Sequence, residues 1–211
     1  MSTPREDSRT LAGVALWVHA LLVESPMTVS MQFETTRLEG VMLVRPRMFE
    51  DERGSFTETW NMHAFQEIVG QSVHFKQSNE SVSREGVLRG MHFQVPPHGQ
   101  GKLVRVTRGR VLDVAVDLRK ESPTFGQHVA VELSSENRWQ LWIPVGFAHG
   151  FLAMEDGSTL QYQCTDTYHP KSEQSLAWND PNLGIDWRVE RPLVSERDQA
   201  ASAFASFESP F

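Results

Sequence analysis

Residues 111–118, VLDVAVDL, alternate with a period of two. Leu112, Val114, Val116 and Leu118 fall on one face, and Val111, Asp113, Ala115 and Asp117 on the other. Alternation of this kind is the signature of a strand, because successive side chains of extended backbone point to opposite sides. The pattern repeats on both sides of this run, in KLVRVT (102–107) and QHVAVEL (127–133). Further out it recurs in VMLVRPRM (41–48), RWQLWIP (138–144) and STLQYQCT (158–165). Turn residues punctuate the runs: Arg108-Gly109, Ser122-Pro123-Thr124, residues 134–137 (SSEN) and residues 155–157 (EDG). Helical signal is sparse. Asn61 can cap a short helix carrying Phe65, Ile68 and Val69, with Gly70 placed to end it. Ser195 begins a second candidate, with Asp198 three residues on in capping-box register. Many short strands with frequent turns predict one mainly β domain over residues 31–211, a sandwich or jelly roll.

Composition narrows the function. The 211 residues are 39% apolar, enough for one good core and short for two domains. Twenty basic and 27 acidic side chains give a formal charge of -7, which argues against a nucleic-acid partner. A local cluster of arginines can still serve a small anion. Cys164 is the only cysteine, so neither an intrachain disulfide nor a cysteine zinc site can form, and a reducing cytoplasm is expected. The apolar run at 11–23, LAGVALWVHALLV, is too short to span a membrane and lacks the basic flank of a signal peptide. Residues 1–30 read as an appendage outside the catalytic domain.

Chemistry concentrates in a few segments. In GVLRGMHFQ (86–94), strict alternation puts His92 and Arg89 on opposite faces, and they share a pocket only if Gly90 marks a bulge. The plainer alternative is a satisfied core histidine with a surface arginine. Lys102 aligns with Val104 and Val106, so it either meets an anion or snorkels at a strand start. Tyr162 aligns with Leu160 and Cys164 and faces inward, where its phenol needs a polar partner, unless it and Tyr168 are ordinary half-buried tyrosines. Asp198 can be only the third residue of a capped helix, and Glu58 only a solvated strand residue.

IPVGFAHGF (143–151) resembles the second motif of the cupin superfamily, whose histidine often binds metal. The first metal motif is absent: His92 is followed by Phe93 and Gln94, with no second histidine and no glutamate in reach. A cupin without its metal is expected.

Taken together, FEDERGSFTETW (49–60), GVLRGMHFQ (86–94), QGKLVRVTRGRVLDVAVDLRKESPTFG (100–126), LSSENRWQLWIPVGFAHGF (133–151), YQCTDTYHP (162–170) and WNDPNLGIDW (178–187) resemble the dTDP-4-dehydrorhamnose 3,5-epimerase family of cupins. The resemblance runs in order from about residue 35 to 201. It implies a cupin-type jelly roll, no cofactor and no metal, a dTDP-sugar substrate, a homodimer with part of the site near its interface, and no membrane partner. It implies His92 as proton acceptor, Tyr162 as proton donor, Asp198 as the histidine's carboxylate, and Lys102 and Arg89 near the ketone and phosphates. Arg53, Glu58, Gln77, Asn79, His149, Glu173 and Arg197 match substrate-contact positions, and Tyr168 matches the ring stacked on thymine. Two departures are mild: Arg197 stands where lysine is common, and Ser78 where aspartate is often seen. Three rival readings stay open at this point: an epimerase of one carbon only, a metal-dependent cupin oxygenase, and a silent sugar-binding jelly roll.

Overall fold

A computed structural model describes residues 31–211, so the appendage expected at residues 1–30 lies outside the described residues. The elements follow in order as β1 (Met31–Thr35), β2 (Met42–Pro46), β3 (Met48–Asp51), β4 (Gly54–Thr57), α1 (Met62–Val69), β5 (Gln77–Ser83), β6 (Val87–Gln94) and β7 (Lys102–Arg108). After these come β8 (Arg110–Asp117), β9 (His128–Ser134), β10 (Gln140–Ile143), β11 (Phe147–Ala153), β12 (Ser158–Cys164), β13 (Glu173–Ser175), β14 (Leu193–Val194) and α2 (Glu196–Gln199). One sheet has the order β1-β2-β10-β7-β12-β5, and the second has β13-β6-β11-β8-β9 with β14 added parallel to β6. Strands adjacent in space come from distant parts of the chain, as a jelly roll requires. The run 41–48 divides at Arg47 into β2 and β3, directly after Pro46, whose missing N–H interrupts a ladder. Among the described residues, no helix is long and apolar enough to cross a membrane.

The strand at 111–118 is buried on both faces. Val111 and Ala115 point between the sheets, into a core with Val104, Val106, Leu141, Ile143, Phe147, Phe151 and Leu160. Leu112, Val114, Val116 and Leu118 point outward against Leu88, Met91, Phe93, Leu152, Leu176, Leu183 and Trp187. The chain after β12 wraps back over this outer face and supplies the last three of those residues. Burying a large aliphatic or aromatic side chain stabilises by roughly 1.5–3 kcal/mol, so the wrap is a substantial part of the fold. It also brings α2 beside β6.

The expected first helix forms with the expected caps. Asn61 Oδ1 accepts from the Ala64 amide at 3.2 Å, and Gly70 closes the helix with φ 71°. Phe65 is fully buried and meets Trp142 edge-on at 5.1 Å, which seats the helix on the outer face of the first sheet.

Candidate active site

The strand β6 is irregular where the chemistry begins. On its partner β11, His149 pairs with His92 and Phe151 pairs with Arg89, so Gly150 alone opposes both Gly90 and Met91. Gly90 is therefore the extra residue of a bulge. Its φ of +132° is open only to glycine, and a Cβ there would lie 2.5 Å from the Gly150 Cα. The bulge resets the alternation: Leu88, Met91 and Phe93 all reach the outer core, while Arg89 and His92 come to one face. Arg89 donates to Ser83 Oγ at 3.2 Å and lies close enough to Tyr162 to act on its charge.

His92 Nε2 lies 2.6 Å from Asp198 Oδ1. Asp198 is 4% exposed, and its Oδ2 accepts from the Gly90 amide at 3.3 Å. Its own amide donates to Ser195 Oγ at 3.1 Å, so the capping role and the pairing role coexist: backbone for the helix, side chain for the histidine. Burial pushes the carboxyl pKa up, but hydrogen bonds from His92, the Gly90 amide and Ser195, with the His92 charge, outweigh it and hold Asp198 below its ordinary value.

Lys102 is buried, and its Nζ donates to the His92 carbonyl at 3.3 Å. Burial pushes its pKa down against the opposing charges of Cys164, Glu173 and Asp113. Val104 and Val106 continue its face into the inter-sheet core, as the alternation predicts. Tyr162 is half-buried on the same core, opposite Val104 on β7 and Asn79 on β5. Burial raises its pKa, with help from Cys164 and Glu173 and partial opposition from Arg89.

A second group surrounds these residues. Gln77 donates to Asn79 Oδ1 at 2.9 Å and accepts from the Tyr168 amide at 2.8 Å. Tyr168, 49% exposed, donates its hydroxyl to Glu173 Oε2 at 2.6 Å, and Arg197 Nη2 reaches the same oxygen at 2.6 Å. Hence α2 places Arg197 on this rim and Asp198 behind His92. His149 is buried with Nε2 2.9 Å from Asp113 Oδ2. Each of the two facing histidines thus has Nε2 turned to its own carboxylate, an arrangement of two couples and not of convergent metal donors.

Eleven of the thirteen residues singled out from the sequence belong to this connected set. Arg53 and Glu58 do not join it. Arg53 sits at the turn of the β3–β4 hairpin, 84% exposed, with its guanidinium on Asp51 at 3.1–3.2 Å. Glu58 accepts from Asn61 Nδ2 at 3.2 Å, beside the start of α1. Asp113 was missed as a site residue. The available signal was a carboxylate on the inward face of an otherwise aliphatic strand.

The fold and this arrangement define a cupin-type jelly roll that brings a His–Asp couple from one sheet toward a lysine and a tyrosine from the other, groups suited to acid–base chemistry. The sequence model described as dTDP-4-dehydrorhamnose 3,5-epimerase matches residues 35–206, and the chain belongs to that family. It is 52% identical over 175 residues to dTDP-4-dehydrorhamnose 3,5-epimerase of Pseudomonas aeruginosa, covering 82% of this chain and 96% of the relative. The crystal structure of dTDP-6-deoxy-D-glucose-3,5-epimerase of Legionella pneumophila, in complex with dTDP-4-keto-L-rhamnose, superposes with a TM-score of 0.81 at 45% identity, covering 84% of this chain and 95% of that one. A 3'-monoepimerase from Streptomyces bikiniensis, in complex with dTDP-quinovose, superposes with a TM-score of 0.77 at 36% identity, covering 81% and 86%.

Proposed function

We propose that the protein inverts C3 and C5 of dTDP-4-dehydro-6-deoxy-D-glucose, giving dTDP-4-dehydro-L-rhamnose for dTDP-L-rhamnose biosynthesis. The observation that carries this reading is the His92–Asp198 couple of one sheet, with Lys102 and Tyr162 on the facing sheet and Lys102 bonded to the His92 carbonyl. Both carbons flank the C4 ketone, so their protons are acidic enough for a positioned base. With Asp198 ionised and accepting from Nε2, the Nδ1 nitrogen of His92 is left as the basic atom. It takes the C–H proton, and the bonding electrons move into the C4 carbonyl to give an enolate. Lys102 is the cation for that oxygen, in a buried position where fixed charge acts strongly. Tyr162, whose raised pKa keeps its proton in place at neutral pH, returns a proton to the opposite face. The step is neutral in electrons and protons, so its stoichiometry calls for no redox partner.

The remaining residues bind. Arg89 suits the diphosphate, since a guanidinium fork matches phosphate oxygens. Tyr168, exposed and tied to Glu173, suits a stacked thymine, and Gln77, Asn79, His149, Glu173 and Arg197 complete the contacts. Arg53 and Glu58 reach a site in this reading through a homodimer, where the hairpin of one protomer enters the other. The exposed Phe49 and Phe56 on that hairpin favour such docking. Mixing inactive Arg53→Ala and His92→Ala proteins should restore turnover that neither has alone; continued silence counts against shared sites. The buried single cysteine suits a cytoplasmic setting.

The direct test is NMR of the enzyme with dTDP-4-keto-6-deoxyglucose in heavy water. Deuterium at both C3 and C5 is the expected result. Label at one carbon establishes the second reading, a single-position epimerase, which the shared fold of the 3'-monoepimerase keeps in view. No label at either carbon overturns both.

A further inference from the structure

A cluster of possible cation donors that the epimerase reading leaves unused lies beside the Tyr168 loop. His98 sits in the turn between β6 and β7, and Asp166 and His169 follow β12. The two imidazoles are stacked, with ring centroids 3.4 Å apart and planes within 12°. Asp166 Oδ2 is 3.3 Å from His98 Nδ1, and its Oδ1 accepts from Lys76 Nζ at 2.8 Å. His169 Nε2 is 3.2 Å from Thr167 Oγ1. One donor atom from each of His98, Asp166 and His169 lies within 4.8 Å of the others, and all three residues are half-buried.

The cluster is held from behind. Gln94, itself 4% exposed, donates to the His98 carbonyl at 2.7 Å and accepts from the His169 amide at 2.7 Å. Gln100 donates to the Asp166 carbonyl at 2.8 Å. Side-chain amides therefore pin the backbone of every member. The Lys76 ammonium already gives the Asp166 carboxylate a cation partner.

We propose that His98, Asp166 and His169 bind a first-row divalent cation of the zinc or nickel type. Two imidazoles and one carboxylate are the donors such ions prefer, whereas magnesium and calcium prefer oxygen throughout. In a tetrahedral zinc site neighbouring donor atoms stand about 3.3 Å apart, so closure from the present spacing needs rotation of the stacked rings about their Cβ–Cγ bonds. The entering ion displaces the Lys76 ammonium from Asp166 and leaves a coordination position for water. Tyr168 lies between two of the three ligands, so occupancy fixes the loop that carries it.

The test is calorimetric titration of chelator-stripped full-length protein with zinc chloride. One equivalent of zinc should bind, with no heat from magnesium. His98→Ala and His169→Ala should each weaken zinc by more than the roughly 10–100-fold that outer partners of a metal site typically control. Lys76→Met, which frees Asp166, should tighten it. Asp166→Asn serves as a third ligand variant should either histidine variant fail to fold. His92→Asn should leave the stoichiometry unchanged. Absence of zinc binding, or binding untouched by the ligand variants, overturns the proposal, and none of these readouts depends on turnover.

Discussion

His92 and His149 are cross-strand partners, and each holds a carboxylate, yet the two couples are built for different surroundings. In the first, the distance is 2.6 Å and the His92 side chain is 30% exposed over a 5% exposed Asp198. In the second, the distance is 2.9 Å, with His149 at 7% and Asp113 at 0%. Asp198 arrives from α2 at the far end of the chain, while Asp113 belongs to the neighbouring strand of the same sheet. Asp113 Oδ1 is also buried without a hydrogen-bond partner among the described residues. One histidine can be reached from outside and the other is walled in. The comparison teaches that pairing alone does not mark a base, because only the accessible couple presents its histidine to a ligand from outside.

Substitutions can break or sharpen this contrast. The largest effect is expected for His92→Ala, which should lower turnover by roughly 10²–10⁴-fold, the range of general-base help. Nucleotide-sugar binding and thermal midpoint should change little; near-normal turnover would end the distinction. His149→Ala strands a buried carboxylate and should cost about 3–5 kcal/mol in urea unfolding. If His149→Ala instead leaves stability intact and abolishes only turnover, the two couples have been assigned the wrong way round.

Lys102 stands between the couples, bonded to the His92 carbonyl and within the field of Asp113. Lys102→Met should cost roughly 2.7–4 kcal/mol of transition-state stabilisation, measured as kcat/KM. Its folded pKa is lowered by burial, so the unfolded chain binds the proton more readily and stability rises with pH through the range above that lowered value. The methionine variant should therefore be more stable than the parent at neutral pH and lack that alkaline gain, as urea titrations at neutral and alkaline pH will show.

The smallest effect concerns acid stability. The Asp198 pKa is lowered by its partners, so its contribution is present above the unfolded value of about 3.9 and lost as pH falls through the folded one. Asp198→Asn should flatten that part of an acid-unfolding curve followed by circular dichroism. An unchanged acid limb would mean the couple holds no stabilising proton linkage.

Much of this was legible in the sequence. The alternation at 111–118 identified a strand with two distinct faces, and the capped helix at Asn61 formed as read. The same alternation applied to β6 left Arg89 and His92 on opposite faces, and only the bulge at Gly90 reconciles them. β5 (QSNESVS) carries too little apolar content to stand out, since its pattern depends on neighbours that only the folded sheet supplies. Asp113 was visible as a charge on an inward face but not as the partner of His149, because their pairing spans 36 residues. Arg53 and Glu58 were grouped with the site by resemblance, yet in one chain Arg53 stands on a separate hairpin and Glu58 beside the start of α1.

The sequence by itself determined the class of fold, the family and the residue types available for acid–base chemistry. Periodicity and ordered motifs are local properties, and they survive without knowledge of what lies across the sheet. Tertiary structure alone decided which histidine is accessible, which carboxylate serves it, and that Arg89 shares its face. Those outcomes depend on one extra residue opposite Gly150 and on a C-terminal wrap that carries Asp198 back across 106 residues to His92. Exposure and pairing are sums over contacts distant in the chain, and no local pattern encodes them.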